Sequence, residues 1–275
     1  MMAVDTAPGI MRWPQLEEAG PFLAAFTTRR GGTSPALGGD LNLAFRLGDP
    51  PGAVLANREL VAGALGIALE MMVLGEQCHG NRCQVVEEKL RGAGASSDAP
   101  ALPGVDALVT DVPGLVLAGC FADCVPVYIV DGEHGAVGLA HAGWRGTAGR
   151  VAQVTFETMR LRYGSRGSRC VALVGPAIGP CCYQVGEDVA AGFRDHDYWP
   201  EVATGGPAGR WWLDLAGANR RQLAQLGIAA IHQAGLCTSC HSQFFSHRRD
   251  HGRSGRMMAL LGVRAGAGKT SGGNE

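Results

Sequence analysis

Lysine is nearly missing from this chain: Lys89 and Lys269 are the only two among 24 basic residues, and the rest are arginine. The basic side chains face 25 acids, the net charge is −1, and no block of like charge occurs. A polyanion-binding surface is therefore not expected, and neither nucleic acid nor a membrane surface is expected as a partner. Apolar runs of membrane-spanning length are absent too, which excludes a transmembrane helix. The opening residues lack the charged, then apolar, then small-residue order of a secretory signal, so the expected compartment is the cytoplasm. Nine cysteines, an odd number in a chain of 275 residues, argue against a disulfide framework and for reduced thiols. No internal repeat or inter-domain linker is visible, and 46% hydrophobic content is enough for one sizeable core.

What is present is glycine, 42 residues, set between short strand-like and helix-like stretches. Residues 22 to 28 read as a strand running into the permissive loop Arg29-Arg30-Gly31-Gly32-Thr33-Ser34. From Pro51 to Gly66 the apolar positions Val54, Leu55, Val61 and Leu65 recur at helical spacing, with Gly66 as the stop. Strands are expected at 71–75, 83–87, 106–110, 115–119, 125–130 and 135–140, the last three as neighbours in one sheet. Further helices are expected at 146–163, 186–194 and 215–226, with strands at 170–174 and 257–263. Helices and strands without a regular βαβ rhythm give an α+β class. A single domain over residues 13–264 is expected, with a loose N-terminus at 1–12 and a flexible tail from Ala265 to Glu275.

Cys124, in Ala-Asp-Cys-Val-Pro, and His141, opening His-Ala-Gly-Trp-Arg-Gly, stand in short glycine-rich stretches beside strand-like runs. A soft thiolate and an imidazole so placed suit either a metal site or a nucleophile with its base. His79, in Gln-Cys-His-Gly, would make a set of three that leaves a tetrahedral metal one open position. The plainer alternatives are an inert core cysteine and turn histidines.

Five further segments accompany these: Thr28 to Ser34, Leu41-Asn42-Leu43, Gly175 to Tyr183 (GPAIGPCCY), Phe244-Phe245-Ser246 and Arg248-Arg249-Asp250. Together and in this order they resemble the YfiH, or laccase-domain, family, over about Phe22 to Val263. The resemblance implies one domain of mixed β-sheets sandwiched by helices, a layered α/β/β/α arrangement. It implies zinc held by His79, Cys124 and His141, and phosphorolysis of the purine nucleosides adenosine, inosine, guanosine and methylthioadenosine, with adenosine deamination at the same site. Inorganic phosphate would be the co-substrate, and the expected assembly is a monomer or weak homodimer. The older label of multicopper polyphenol oxidase fits the residues poorly, because multicopper electron transfer needs more clustered histidines than the eight scattered here. Two positions depart from the common family pattern: His247 stands where tyrosine is usual, and Gln184 where glutamate is.

Arg145 is the expected catalytic cation that orients phosphate, its alternative being a structural ion pair. Arg29, Arg30 and Arg248 are candidates for phosphate or substrate binding. Asp123 is a candidate proton carrier or support for the thiolate, with turn capping as its alternative. Trp144 could stack on a base but equally belongs in a core. The pair Cys237 and Cys240 has CxxC spacing without a second such pair; Cys181 and Cys182 could come near it, but buried structural thiols are the default. Two further functions compete. Cys124 and His141 could act as nucleophile and base of an amide hydrolase, such as one editing peptidoglycan precursors, or the chain could be a zinc-stabilised binding module.

Overall fold

The computed structural model describes residues 4–6 and 8–266. One six-stranded sheet holds β1 (Val4–Thr6), β2 (Gly9–Arg12), β3 (Phe22–Thr27), β4 (Met72–Leu74), β7 (Val116–Phe121) and β15 (Met257–Val263), in the order β1-β2-β3-β15-β7-β4. The second holds β5 (Cys83–Val85), β6 (Ala107–Thr110), β8 (Val125–Asp131), β9 (Ala136–Ala142), β10 (Cys170–Val174) and β14 (Ala230–Gln233), in the order β14-β10-β8-β9-β6-β5. A small third sheet joins β11 (Gln184–Val185), β12 (Ala203–Gly205) and β13 (Trp211–Leu213). The helices are α1 (Pro14–Glu17), α2 (Pro51–Leu65), α3 (Trp144–Ala148), α4 (Val151–Tyr163), α5 (Glu187–Ala190), α6 (Trp199–Val202) and α7 (Leu215–Gln225).

Strands β3, β8, β9 and β15 are buried on both faces, and their period of two assigns side chains to layers. On β8, Tyr128 and Val130 face the other sheet, where they meet Phe22, Phe26, Leu117 and Leu261. Val125, Val127 and Ile129 point the opposite way, onto Val151, Phe156 and Met159 of α4 and Leu223 of α7. The far face of the first sheet, with Leu23, Met258 and Leu260, is covered by Val61, Ala62 and Leu65 of α2. The order is helix, sheet, sheet, helix. Each fully buried Val, Leu or Phe contributes about 1.5–3 kcal/mol. Register between the sheets is also fixed by a buried hydrogen bond: the Tyr128 hydroxyl donates to the Ala25 carbonyl at 2.9 Å.

Several expectations are corrected. Gly9–Arg12 is not loose: it pairs with β3 and buries Ile10 and Met11 on opposite faces. The expected tail lies outside the described residues from 267 on. Strand β7 is not a sheet neighbour of β8 and β9, since it pairs with β15 and β4 in the other sheet. The chain changes sheets at Ala122-Asp123-Cys124, where Asp123 takes a φ of 83°. The helix expected over 146–163 is two helices, because Arg150 at φ 59° interrupts it. The helix expected at 186–194 shrinks to α5.

Candidate metal centre

The change of sheet places Cys124 at the mouth of the gap between the layers. It immediately precedes β8, and the β8–β9 register pairs Val125 with Ala142 and Pro126 with His141. Parity on β9 turns His141 to the same side as Val137 and Leu139, into the space between the sheets, where Phe121 packs edge-on against its ring at 5.3 Å. His79 comes from the loop after β4. That loop is held to β7 by Gln77, whose side-chain amide donates to the Cys120 carbonyl at 2.9 Å and accepts from the Cys120 N–H at 2.8 Å.

One donor atom from each of His79, Cys124 and His141 lies within 4.8 Å of the other two, so the three could hold a metal ion. His141 is buried, Cys124 partly so, and His79 is exposed. The cluster thus has a closed side and an open side. Gly143 forms part of its wall: a Cβ there would lie 3.0 Å from His79 Cδ2 and 3.1 Å from Cys124 Sγ. The glycine of the His-Ala-Gly-Trp segment is therefore a clearance for two of the three donors.

Asp106, which the sequence reading missed, organises the pocket. Its carboxylate lies 2.8 Å from His141 Nδ1 and accepts from the N–H groups of Cys78, His79 and Gly80 at 3.2, 3.0 and 2.8 Å. With Nδ1 engaged, the remaining nitrogen of His141, Nε2, is the one left to bind an ion. The same bonds hold His79 at φ 64°, a left-handed conformation that costs a non-glycine residue about 1–3 kcal/mol. The sequence signal was thin: an acid directly before the buried strand β6. Burial alone would raise the Asp106 pKa, but the bonds from His141, Cys78 and Gly80 hold it well below the usual carboxylate range.

Electrostatics favour a thiolate. Burial pushes the Cys124 thiol up, yet His141 and then His79 outweigh it and bring the pKa down to about 6. Burial likewise works against charge on His141, and the Cys124 thiolate and Asp106 overcome it, raising the pKa to about 9. A cation in place of the shared proton meets the same field. Tyr183 lies near enough for the Cys124 charge to add to burial in raising its phenol, which keeps the hydroxyl a neutral donor.

The other expected residues are placed differently. The Arg145 guanidinium is exposed and stacks on Trp144, 4.3 Å from the ring centroid, with no carboxylate bonded to it among the described residues. Arg29 lies by the 243–250 loop, where its N–H donates to the Gln243 carbonyl at 3.0 Å. Burial and the neighbouring Arg249 lower its pKa. Arg30 is exposed beside it. Arg248 clasps a loop: its Nη1 donates to the Gln184 carbonyl at 2.9 Å and its guanidinium lies over Tyr183 at 5.0 Å. Asp123 takes the capping role that was its alternative. It accepts from Thr238 Oγ1 at 2.6 Å and from the Arg248 N–H at 2.7 Å, one bond to each of its oxygens. A cleft of about 930 Å³ lined by Leu69, Glu70, Lys89 and Leu102 contains none of the three donors; donor chemistry, not volume, locates the site. Among the described residues no helix is long and apolar enough to cross a membrane.

The chain is similar to several known proteins. The chain is 43% identical over 258 residues to a purine nucleoside phosphorylase, YlmD, of Geobacillus stearothermophilus, covering 90% of this chain and 93% of that one. It is 39% identical over 240 residues to an adenosine deaminase from an unknown prokaryotic organism, covering 84% and 90%. The crystal structure of Bacillus licheniformis hypothetical protein YfiH superposes with a TM-score of 0.90 at 38% identity, covering 96% of this chain and 99% of that one. The family profile described as multi-copper polyphenol oxidoreductase laccase matches residues 23–264, and the chain belongs to that family.

Proposed function

We propose that this chain is a zinc-dependent purine nucleoside phosphorylase that also deaminates adenosine at the same site, working in the cytoplasm as a monomer or weak homodimer. The observation that carries the reading is the convergence of His79, Cys124 and His141 with one side open. Two imidazoles and a thiolate suit tetrahedral zinc. They also match a mononuclear copper site, but among the described residues no further histidine cluster exists to build a multicopper centre. Relatives named purine nucleoside phosphorylase support the substrate class.

When bound, zinc supplies a Lewis-acid position beside the substrate. The rest falls to the chain's own residues. Asp106 fixes the His141 ring through Nδ1, and Phe121 packs against that ring, so the donor geometry is set before substrate arrives. Arg145, held flat by Trp144, offers a guanidinium to phosphate, and Arg29 and Arg30 add positive charge. A phosphate oxygen then bonds to the ribose anomeric carbon as the bond from that carbon to the purine nitrogen breaks. The electron pair and a proton end on the departing base. In deamination, water adds to the purine carbon bearing the amino group and ammonia leaves.

The test is incubation of zinc-loaded protein with adenosine, inosine and methylthioadenosine, with and without phosphate, followed by chromatography. Free base appearing only with phosphate is the expected result, with inosine formed from adenosine in its absence. No base release under either condition overturns the phosphorylase reading.

A further inference from the structure

Four cysteines that the proposed reaction does not use are gathered in one place. One sulfur each from Cys181, Cys182, Cys237 and Cys240 lies within 4.8 Å of the other three. Cys240 Sγ is 3.6 Å from Cys181 Sγ and 3.4 Å from Cys182 Sγ, and all four residues are free thiols. A disulfide needs sulfurs about 2.05 Å apart. Four thiolates about 2.3 Å from one zinc stand about 3.8 Å from each other. The two short sulfur pairs, with all four sulfurs within 4.8 Å of one another, leave room for a tetrahedral cage.

The cage is built by backbone, before any ion enters. After β10 the chain forms the Gly175–Tyr183 turn, and after β14 it forms the Cys237–Cys240 turn. Ala177 and Cys237 make a parallel bridge between the two, with the Thr238 N–H donating to the Ala177 carbonyl at 2.9 Å. The Gly179 N–H points at Cys237 Sγ at 3.2 Å, which orients that sulfur and stabilises charge on it. A Cβ on Gly179 would lie 3.3 Å from Cys181 Sγ and 3.3 Å from Cys237 Cβ, so glycine is what lets the turns close. Cys181 and Cys240 are exposed, unlike ordinary core thiols, and an ion can reach them.

We propose that Cys181, Cys182, Cys237 and Cys240 bind a second ion of the zinc class in a closed, all-thiolate site whose role is structural. Binding releases the thiol protons and leaves a complex of net charge about −2. Cations already stand beside it: the Arg248 Nη1 reaches the Cys182 carbonyl at 3.4 Å, and the Arg249 Nη1 reaches the Thr238 carbonyl at 3.2 Å. The site has a consequence for the first one. Thr238 lies inside the CxxC turn and bonds Asp123, the residue preceding Cys124, so closing the cage fixes the approach to that thiolate.

The experiment is ion content per chain of the zinc-loaded, desalted full-length protein, together with absorption after cobalt substitution. Wild type is expected to hold about two ions, and both Cys124→Ala and the double variant Cys181→Ser/Cys240→Ser about one each. The intense sulfur-to-cobalt absorption of an all-thiolate site should persist in Cys124→Ala and vanish in the double variant. If the double variant does not fold, Cys181→Ser alone is used, and a cobalt affinity at least about tenfold weaker is expected. Ion content and spectrum unchanged by these serine substitutions overturn the proposal, as does a bond between Cys182 and Cys240 found by mass spectrometry in protein purified without reductant. One ion in wild type and none in Cys124→Ala overturns it while leaving the proposed function intact. One ion in wild type that persists in Cys124→Ala and is lost in the double variant supports it and removes the proposed function.

Discussion

The two sulfur-containing clusters are built by opposite means. His79, Cys124 and His141 come from three separate segments and rely on a buried side chain, Asp106, to set their directions, leaving one side exposed. The four thiols come from two adjacent turns and rely on backbone bonds, with no position left over. An open set of three suits chemistry, since an ion there retains affinity for a further ligand; a closed set of four suits a staple. Asp123 joins them, with one oxygen on the CxxC turn and its own backbone leading into Cys124.

Substitutions can break this contrast in order of severity. Cys124→Ala removes a donor outright, and phosphate-dependent base release is expected to fall by more than about a hundredfold, measured by chromatography. Asp106→Asn keeps the shape but alters what His141 and the 78–80 loop are bonded to. Zinc affinity is expected to weaken by about 10–100-fold, read by competition with a chelator. Gly143→Ala presses on His79 and Cys124 while leaving the core untouched, so a loss of about tenfold in zinc affinity is expected with little change in Tm. Tyr128→Phe is the counter-case: loss of the bond to Ala25 should cost about 1 kcal/mol in denaturant unfolding and leave the reaction rate unchanged.

The pH dependence of the metal-free protein sharpens the same picture. Cys124 is depressed to about 6, below the roughly 8.5 of a free thiol, so its contribution to stability is present at alkaline pH and is lost as pH falls through about 6. His141 is raised to about 9, so its contribution is present below about 6.5 and is lost as pH rises through about 9. Thermal unfolding of chelated protein should therefore lose this pair's contribution on both sides of the window from about 6 to about 9. Cys124→Ala should flatten the profile.

Much of this was legible in the sequence because strong local patterns carried it. Gly66 adopts φ 67° where the α2 pattern ends, and Met257–Val263 is a continuous apolar run because β15 is buried on both faces. The three donors stood out because thiol and imidazole are rare types set in glycine-rich turns. Asp106 did not stand out, since its role depends on accepting bonds from residues 26 to 35 positions away in the chain. The assignment of β7 to the other sheet was hidden for a similar reason. A one-residue turn at Asp123, held by Thr238 and Arg248 from far along the chain, reverses what proximity in sequence implies. The clasp made by Arg248 was hidden because its carbonyl partners are invisible until the small β11 turn packs against it.

On the proposed function, Cys124 acts as a metal-bound thiolate and not as a free nucleophile. The most direct measurement is phosphate-dependent base release from inosine after chelation, after zinc is returned, and after alkylation of the chelated protein. Loss on chelation with recovery on zinc addition is predicted, and alkylation of Cys124 should block that recovery. Activity that survives chelation and dies only on alkylation would instead make Cys124 the nucleophile.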